Sequence, residues 1–101
     1  MTDGPDSYFK KRIPYTVRGQ QFEFDVGHTL FSSFQVDEGS DLLLRTIEPA
    51  LEPTSILDLG CGVGVLGIAL AKRYPAAQVQ MADVNLLAVR YTRHNMALNA
   101  V

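Results

Sequence analysis

Ile56-Leu57-Asp58-Leu59-Gly60-Cys61-Gly62-Val63-Gly64-Val65-Leu66-Gly67 is an apolar run that ends in an acid and breaks into alternate glycines, and Asp83 closes the next apolar run. A buried strand meeting such a turn has no Cβ at Gly60, Gly62 and Gly64, so the backbone can reverse sharply and approach a ligand closely. A helix predicted from Val65 to Tyr74 starts immediately afterwards and brings its first amides to the turn. The arrangement points to a nucleotide-bearing cofactor.

Working outward from the turn, Ser55 to Leu59 reads as one core strand and Gln78 to Ala82 as the next. The intervening helix is apolar on nearly every side up to Lys72-Arg73 and is stopped by Pro75, so sheet and neighbouring helices must cover it. A last helix starts at Asp83 or Asn85, reaches Leu98, and has Asn99 as terminator. Upstream, Asp37 or Ser40 can cap a helix from Gly39 to Glu48, with Leu42, Leu43, Leu44 and Ile47 turned inward and Pro49 as the stop. Further upstream, Tyr15 to Arg18 and Gln21 to Val26 alternate on either side of a Gly19-Gln20 turn, which predicts a hairpin burying Tyr15, Val17, Phe22, Phe24 and Val26 on one face. Strands alternating with helices call for an α/β fold with a parallel sheet, right-handed crossovers, and ligands at the carboxyl ends of the strands. Asp58 and Asp83 both lie at such ends.

At 101 residues, 47% apolar and 20% charged, the chain is a single unit. Its net charge of −2 excludes a global cationic field for nucleic acid. Lys10-Lys11-Arg12 is a local basic run that reads more simply as a solvated approach to the first strand. A lone cysteine, Cys61, excludes an internal disulfide and a multi-cysteine zinc cluster and fits a reducing cytoplasm. No apolar stretch reaches the ~20 residues of a membrane span, and the start has no leader pattern. The expectation is a cytoplasmic protein without membrane or metal.

Two cofactor classes use this turn. Gly62 to Gly67 matches the dinucleotide pattern G-x-G-x-x-G, with Asp83 near the spacing of a ribose-binding acid. Asp58, two residues before Gly60, argues the other way: a carboxylate beside the turn repels a pyrophosphate and favours a ligand carrying an ammonium and a sulfonium, such as S-adenosylmethionine.

Asp58 to Gly64 resembles the first motif of class I S-adenosylmethionine-dependent methyltransferases, and Met81-Ala82-Asp83-Val84-Asn85 resembles their second. Tyr8-Phe9, Val17-Arg18-Gly19, Leu30-Phe31-Ser32, Val36-Asp37-Glu38-Gly39-Ser40 with Leu42 to Leu44, and Ala88-Val89 with Asn95 and Asn99 are similar, in order and spacing, to the methyltransferase small domain family. Its best-known members are ribosomal RNA guanine-N2 methyltransferases. The resemblance implies a Rossmann-like class I methyltransferase fold preceded by a β-hairpin and helix, organised as one domain over 1–101. Within it, 1–14 would be a loose arm, 15–54 the hairpin and helix extension, and 55–101 the first half of the cofactor-binding core.

It also implies S-adenosylmethionine as cofactor and RNA as the partner that receives a methyl on nitrogen. Gly60, Gly62 and Gly64, with Cys61 inside the turn, would pass beneath the methionine portion. Asp58 would sit near the amino group, Asp83 would accept both ribose hydroxyls, and Val84 and Ser40 would complete the site. The family's Asn-Pro-Pro-aromatic motif lies after a fourth core strand, whereas this sequence ends before a third. The expectation is therefore the amino-terminal part of a protein of roughly 200 residues, truncated before that strand, with catalytic residues unknown and its open sheet at Ile56, Leu57, Val79 and Met81 prone to self-association. A nicotinamide-dependent oxidoreductase domain and a non-catalytic binding or assembly module are the alternatives.

The remaining candidates have simpler readings. Cys61 reads as a small filler rather than a nucleophile. His28 and His94 lack ligand-spaced partners. Phe31 and Phe34 read as core beside the hairpin, Asn95 and Asn99 as helix-end hydrogen bonders, and Ser40 as a cap or a contact for the cofactor carboxylate.

Overall fold

The computed structural model describes residues 9–27, 36–47 and 50–101. Residues 1–8, the segment holding His28, Phe31 and Phe34, and Glu48-Pro49 lie outside those described. In order, the elements are strands β1 (Phe9–Val17) and β2 (Gln20–Gly27), helix α1 (Glu38–Thr46), strand β3 (Ser55–Leu59), helix α2 (Val65–Arg73), strand β4 (Gln78–Ala82) and helix α3 (Leu86–Leu98). Strands β1 and β2 form an antiparallel hairpin, while β3 and β4 pair in parallel across the α2 crossover, with Ile56 opposite Val79 and Asp58 opposite Met81.

The hairpin turns at Arg18 and Gly19, one residue earlier than expected, with both in the left-handed region (φ 49° and 80°) that a tight hairpin connection requires. Val17 and Gln20 thus close the ladder. Strand β1 also reaches back to Phe9, so residues 9–14 are strand rather than loose arm. Pro14 makes that part look unlike a strand. It is tolerated because Glu23, opposite it, directs its N–H and C=O away from β1 to the side-chain amide of Asn99.

Phe22, Phe24 and Val26 share a buried face with Ile13 and Val17, and Tyr15 packs at its margin. This face forms one core with Leu44 of α1, Val65, Ile68 and Leu70 of α2, and Tyr91 of α3. Tyr15 Oη donates to Asp41 Oδ1 at 2.7 Å, which ties α1 to the hairpin. Only one narrow stripe of α1 faces inward. Leu44 is buried, but Leu42 is 63% and Leu43 46% exposed, correcting the expectation that all three leucines point into the core. Among the described residues, α1 rests chiefly on α2 and β1, which leaves its other sides uncovered. Its end is tied down by guanidinium groups, with Arg73 donating to Leu44 O at 2.7 Å and Arg18 to Arg45 O at 2.9 Å.

On the opposite side of the hairpin, where alternation predicts a solvated face, Asp25 is fully buried. Arg12 grips it with two hydrogen bonds, from Nε at 2.7 Å and Nη2 at 3.0 Å, and His94 Nε2 approaches at 2.5 Å. Arg12 is therefore the partner of a buried acid within β1 rather than part of a solvated approach. Helix α3 covers this site. Asn95 Oδ1 accepts from Asp25 N at 2.8 Å, and its amide donates to Asp25 O at 3.1 Å and to Val63 O at 2.8 Å. Asn99 treats Glu23 likewise, at 2.9 and 2.8 Å. The two asparagines, one helical turn apart, act together as a substitute strand along the free edge of β2. Their role is not confined to the helix end.

Replacing Asn95 by Leu keeps the volume but leaves the Asp25 N–H and C=O and the Val63 C=O without their partner. The expected loss is about 3 kcal/mol of unfolding free energy, read as a lower urea midpoint at unchanged slope.

Candidate functional site

The carboxyl ends of β3 and β4 meet at the glycine turn. Gly60 N and Cys61 N both donate to Ala82 O, at 2.8 and 3.0 Å, so the turn is latched to the neighbouring strand. Gly60 and Gly62 have φ values of 70° and 58°, and no atom lies within 4 Å of where a Cβ would stand on either. The turn is thus a cradle whose open side is bare backbone. Gly64 does something else: at φ 98° it is the N-cap of α2, and a Cβ there would strike Ile68 and Thr92.

Gly67 supplies the close approach of helix to sheet, since a Cβ on it would collide with the Met81 side chain and stand 3.2 Å from Asp58 Oδ2. The missing side chain lets Asp58 Oδ2 accept the Gly67 N–H at 3.0 Å. Because Gly64 has no side chain, the acid from β3 caps the first turn of α2 in its place. Asp58 is only 9% exposed. Burial pushes its carboxyl above the usual carboxylate value, the Gly67 N–H opposes this, and the Asp83 carboxylate adds to the rise.

Asp83 makes two bonds of its own. Oδ1 accepts from Asn85 N at 2.9 Å and Oδ2 from Gly62 N at 3.0 Å. These backbone donors, Asn85 foremost, hold its carboxyl below the usual value. Each oxygen retains a further lone pair for a ligand.

A cavity of about 170 Å³ lies over the turn and brings together Asp58, Gly60, Cys61 and Gly62 with Asp37 and Ser40 at the start of α1. Asp37, rather than Ser40, is the N-cap: Oδ1 accepts from Gly39 N at 2.9 Å and Ser40 N at 3.2 Å, and Ser40 Oγ donates to Oδ2 at 2.6 Å. These bonds, led by the Ser40 hydroxyl, lower the Asp37 carboxyl below its ordinary value. Two carboxylates and a hydroxyl thus face the cavity, which suits a cation. Asp83 joins this group through Gly62, whereas Gly64 turns into the core and the Val84 side chain is fully exposed. A larger open groove of about 550 Å³ along Phe22, Lys72 and Asn99 shares no lining residue with the turn.

The sequence marks Asp37 only as a helix cap and carries no motif at Thr92. Thr92 is buried on α3 and donates to Gly62 O at 3.0 Å. Its one proton is used there, so the Cys61 thiol, 3.3 Å away, is the donor to Thr92 Oγ1. Cys61 is buried, with its thiol beside Thr92. Among the described residues no group of His, Cys, Asp and Glu could hold a metal ion, and no helix is long and apolar enough to cross a membrane.

Substituting Ala for Gly67 should cost about 2 kcal/mol by overpacking against Met81. In a double-mutant cycle that penalty should shrink when Met81→Ala makes room, measured by denaturant unfolding.

Comparison with known proteins places this geometry. The family model described as "Methyltransferase small domain" matches residues 21–101. Ribosomal RNA small subunit methyltransferase C of Hahella chejuensis is 43% identical over 72 residues, covering 71% of this chain and 21% of that protein. The protein of the same name from Hamiltonella defensa is 43% identical over 87 residues, covering 86% of this chain and 25% of its own length. A solved structure, the T. thermophilus 16S rRNA N2 G1207 methyltransferase (RsmC) in complex with AdoMet and guanosine, superposes with a TM-score of 0.80 at 28% identity, over 95% of this chain and 26% of that one. The chain therefore spans a quarter or less of the length of these two curated relatives, and the match bears out the Rossmann-like class I methyltransferase fold.

Proposed function

The chain belongs to the methyltransferase small domain family, and from that membership and the glycine turn we propose that it forms the cofactor half-site of an S-adenosylmethionine-dependent methyltransferase. The acceptor is a nitrogen of an RNA base, of the guanine-N2 type in ribosomal RNA. The names of the relatives and the guanosine in the T. thermophilus complex support that class. The compartment that goes with such a substrate is the cytoplasm.

One observation carries the reading: acids at the ends of two adjacent parallel strands flank a bare-backbone cradle, and both are held by amides of the turn and of α2. The residues fit the cofactor. Asp58, with Asp37 across the cavity, receives the ammonium, the open faces of Gly60 and Gly62 pass beneath the methionine chain, and Ser40 meets the carboxylate by turning its one proton away from Asp37. Asp83 accepts the two ribose hydroxyls on the lone pairs that Gly62 and Asn85 leave free. When bound, the cofactor supplies an electrophilic methyl on sulfonium. The contribution of this chain is to fix that group's position and direction, through alignment rather than acid–base chemistry.

The oxidoreductase alternative fares worse on the same geometry. A pyrophosphate would need the free amides of the turn and first helical turn. Gly62 N and Gly67 N instead donate to Asp83 and Asp58, and Gly64 N to Cys61 O. The apolar outer face of the sheet, with Leu57 58% and Leu59 74% exposed, makes self-association of the chain the expected behaviour. Sedimentation at rising concentration tests it.

Titration calorimetry should give heat with S-adenosylmethionine or S-adenosylhomocysteine and none with NAD; the reverse result sinks the proposal. Asp83→Ala should weaken binding by at least about tenfold, because two charge-assisted hydrogen bonds are lost. Acid should also weaken it. Asp58 is raised, so affinity for the cation falls as pH drops through a value above that of an ordinary aspartate, while Asp83, being lowered, protonates only further down. Protonation of Asp58 is favoured in the folded, unliganded chain, so over that same interval this group makes the free protein more stable as pH falls. Asp58→Asn should abolish the first loss of affinity, seen by calorimetry at stepped pH.

A further inference from the structure

Gly62 is held from both sides. Its N–H donates to Asp83 Oδ2 at 3.0 Å, and its C=O accepts from Thr92 Oγ1 at 3.0 Å. The next carbonyl, of Val63, is taken at 2.8 Å by Asn95, one turn further along α3. Glycine at φ 58° with open space around it has many other conformations within reach, so its own stereochemistry does not select this one. Selection comes from the helix. Thr92 is 4% exposed, and its single hydroxyl proton is committed to the Gly62 C=O. Thr92 also accepts from Cys61, which extends the hold to the neighbouring residue of the cradle.

We propose that Thr92 is a positioning residue for cofactor binding, fixing the Gly62 backbone so that the cradle and the Asp83 carboxylate are presented together before the ligand arrives. This rests on the cofactor reading above and adds a residue to it. Asp83 touches the ligand in that reading, and Thr92 acts through Gly62. Without the hydroxyl, the Gly62 C=O turns to seek water, and with no side chain to resist, the glycine's own torsions carry its N–H away from Asp83. The binding-competent turn becomes a minor population, and apparent affinity falls by that fraction.

The test uses Thr92→Val, which keeps the shape and removes the hydroxyl, and Thr92→Ser, which restores it. Calorimetry with S-adenosylmethionine should show roughly tenfold weaker binding for Thr92→Val, the effect of losing the one hydrogen bond that organises the turn, and near-normal binding for Thr92→Ser. Amide exchange adds a readout that a merely structural role would not move. In Thr92→Val the Gly62 amide should exchange faster in the free chain and recover protection with ligand, while the amides of β2 and α3 stay as in wild type. Equal affinity in Thr92→Val and wild type overturns the positioning role. So does failure of Thr92→Ser to recover binding, or faster exchange throughout the chain. A wild-type chain that does not bind S-adenosylmethionine at all would instead bring down the cofactor reading itself.

Discussion

One buried side-chain amide, that of Asn95, joins the parts of this molecule that backbone hydrogen bonds leave separate. The hairpin and the parallel pair are two sheets with no ladder between them. Strand β2 would present an open edge at the centre of the fold, and unpaired backbone groups buried there would be costly. Asn95 commits both donors and its acceptor to Asp25 and Val63, so the same side chain closes the strand edge, docks α3 and sets the end of the glycine turn. Asn99 repeats the pairing at Glu23 and also bonds back to Asn95 O. Beside them Asp25 is held by Arg12 and His94, and this contact fixes where the hairpin lies against the helix.

From that joint the site follows. With α3 docked, Thr92 reaches Gly62, and Gly62 reaches Asp83. With α2 drawn against β4 by the absent side chain of Gly67, Asp58 reaches the first turn of the helix. Each acid has a structural duty as a cap or turn former, and that duty is compatible with holding a ligand. A carboxylate oxygen engaged by one amide is immobilised yet keeps a lone pair, so the structural bonds organise the site in advance. Different balances of burial and hydrogen bonding then raise the Asp58 carboxyl and lower that of Asp83.

Much of this is legible in residue order. The spans of β3, α2 and β4 and the caps at Asn85 and Asn99 agree with expectation because they depend on local signals: apolar runs, a proline, a capping side chain. Sequence reading fails where the deciding contact is remote in the chain, as it does for the pairing of Asn95 and Asn99 with β2. Pro14 hides the start of β1, since only the Asn99–Glu23 pairing shows that no donor is needed there. Leu42 and Leu43 read as core, but the neighbours of α1 cover a single stripe. Arg12 and Asp25 read as solvated, and their burial depends on α3. Thr92 carries no motif, and the signal that could have found it is only its place one turn before Asn95.

Residue order alone sets the succession of elements, the glycine turn and the two strand-end acids, because chain stereochemistry and apolar periodicity act over a few residues. Tertiary structure alone decided that Asp37 faces the same cavity as Asp58, that Gly62 is clamped between Asp83 and Thr92, and that asparagines on α3 complete the edge of β2. Those are hydrogen bonds and close approaches between segments far apart in the chain, where a side chain's role is set by which backbone group packing leaves without a partner.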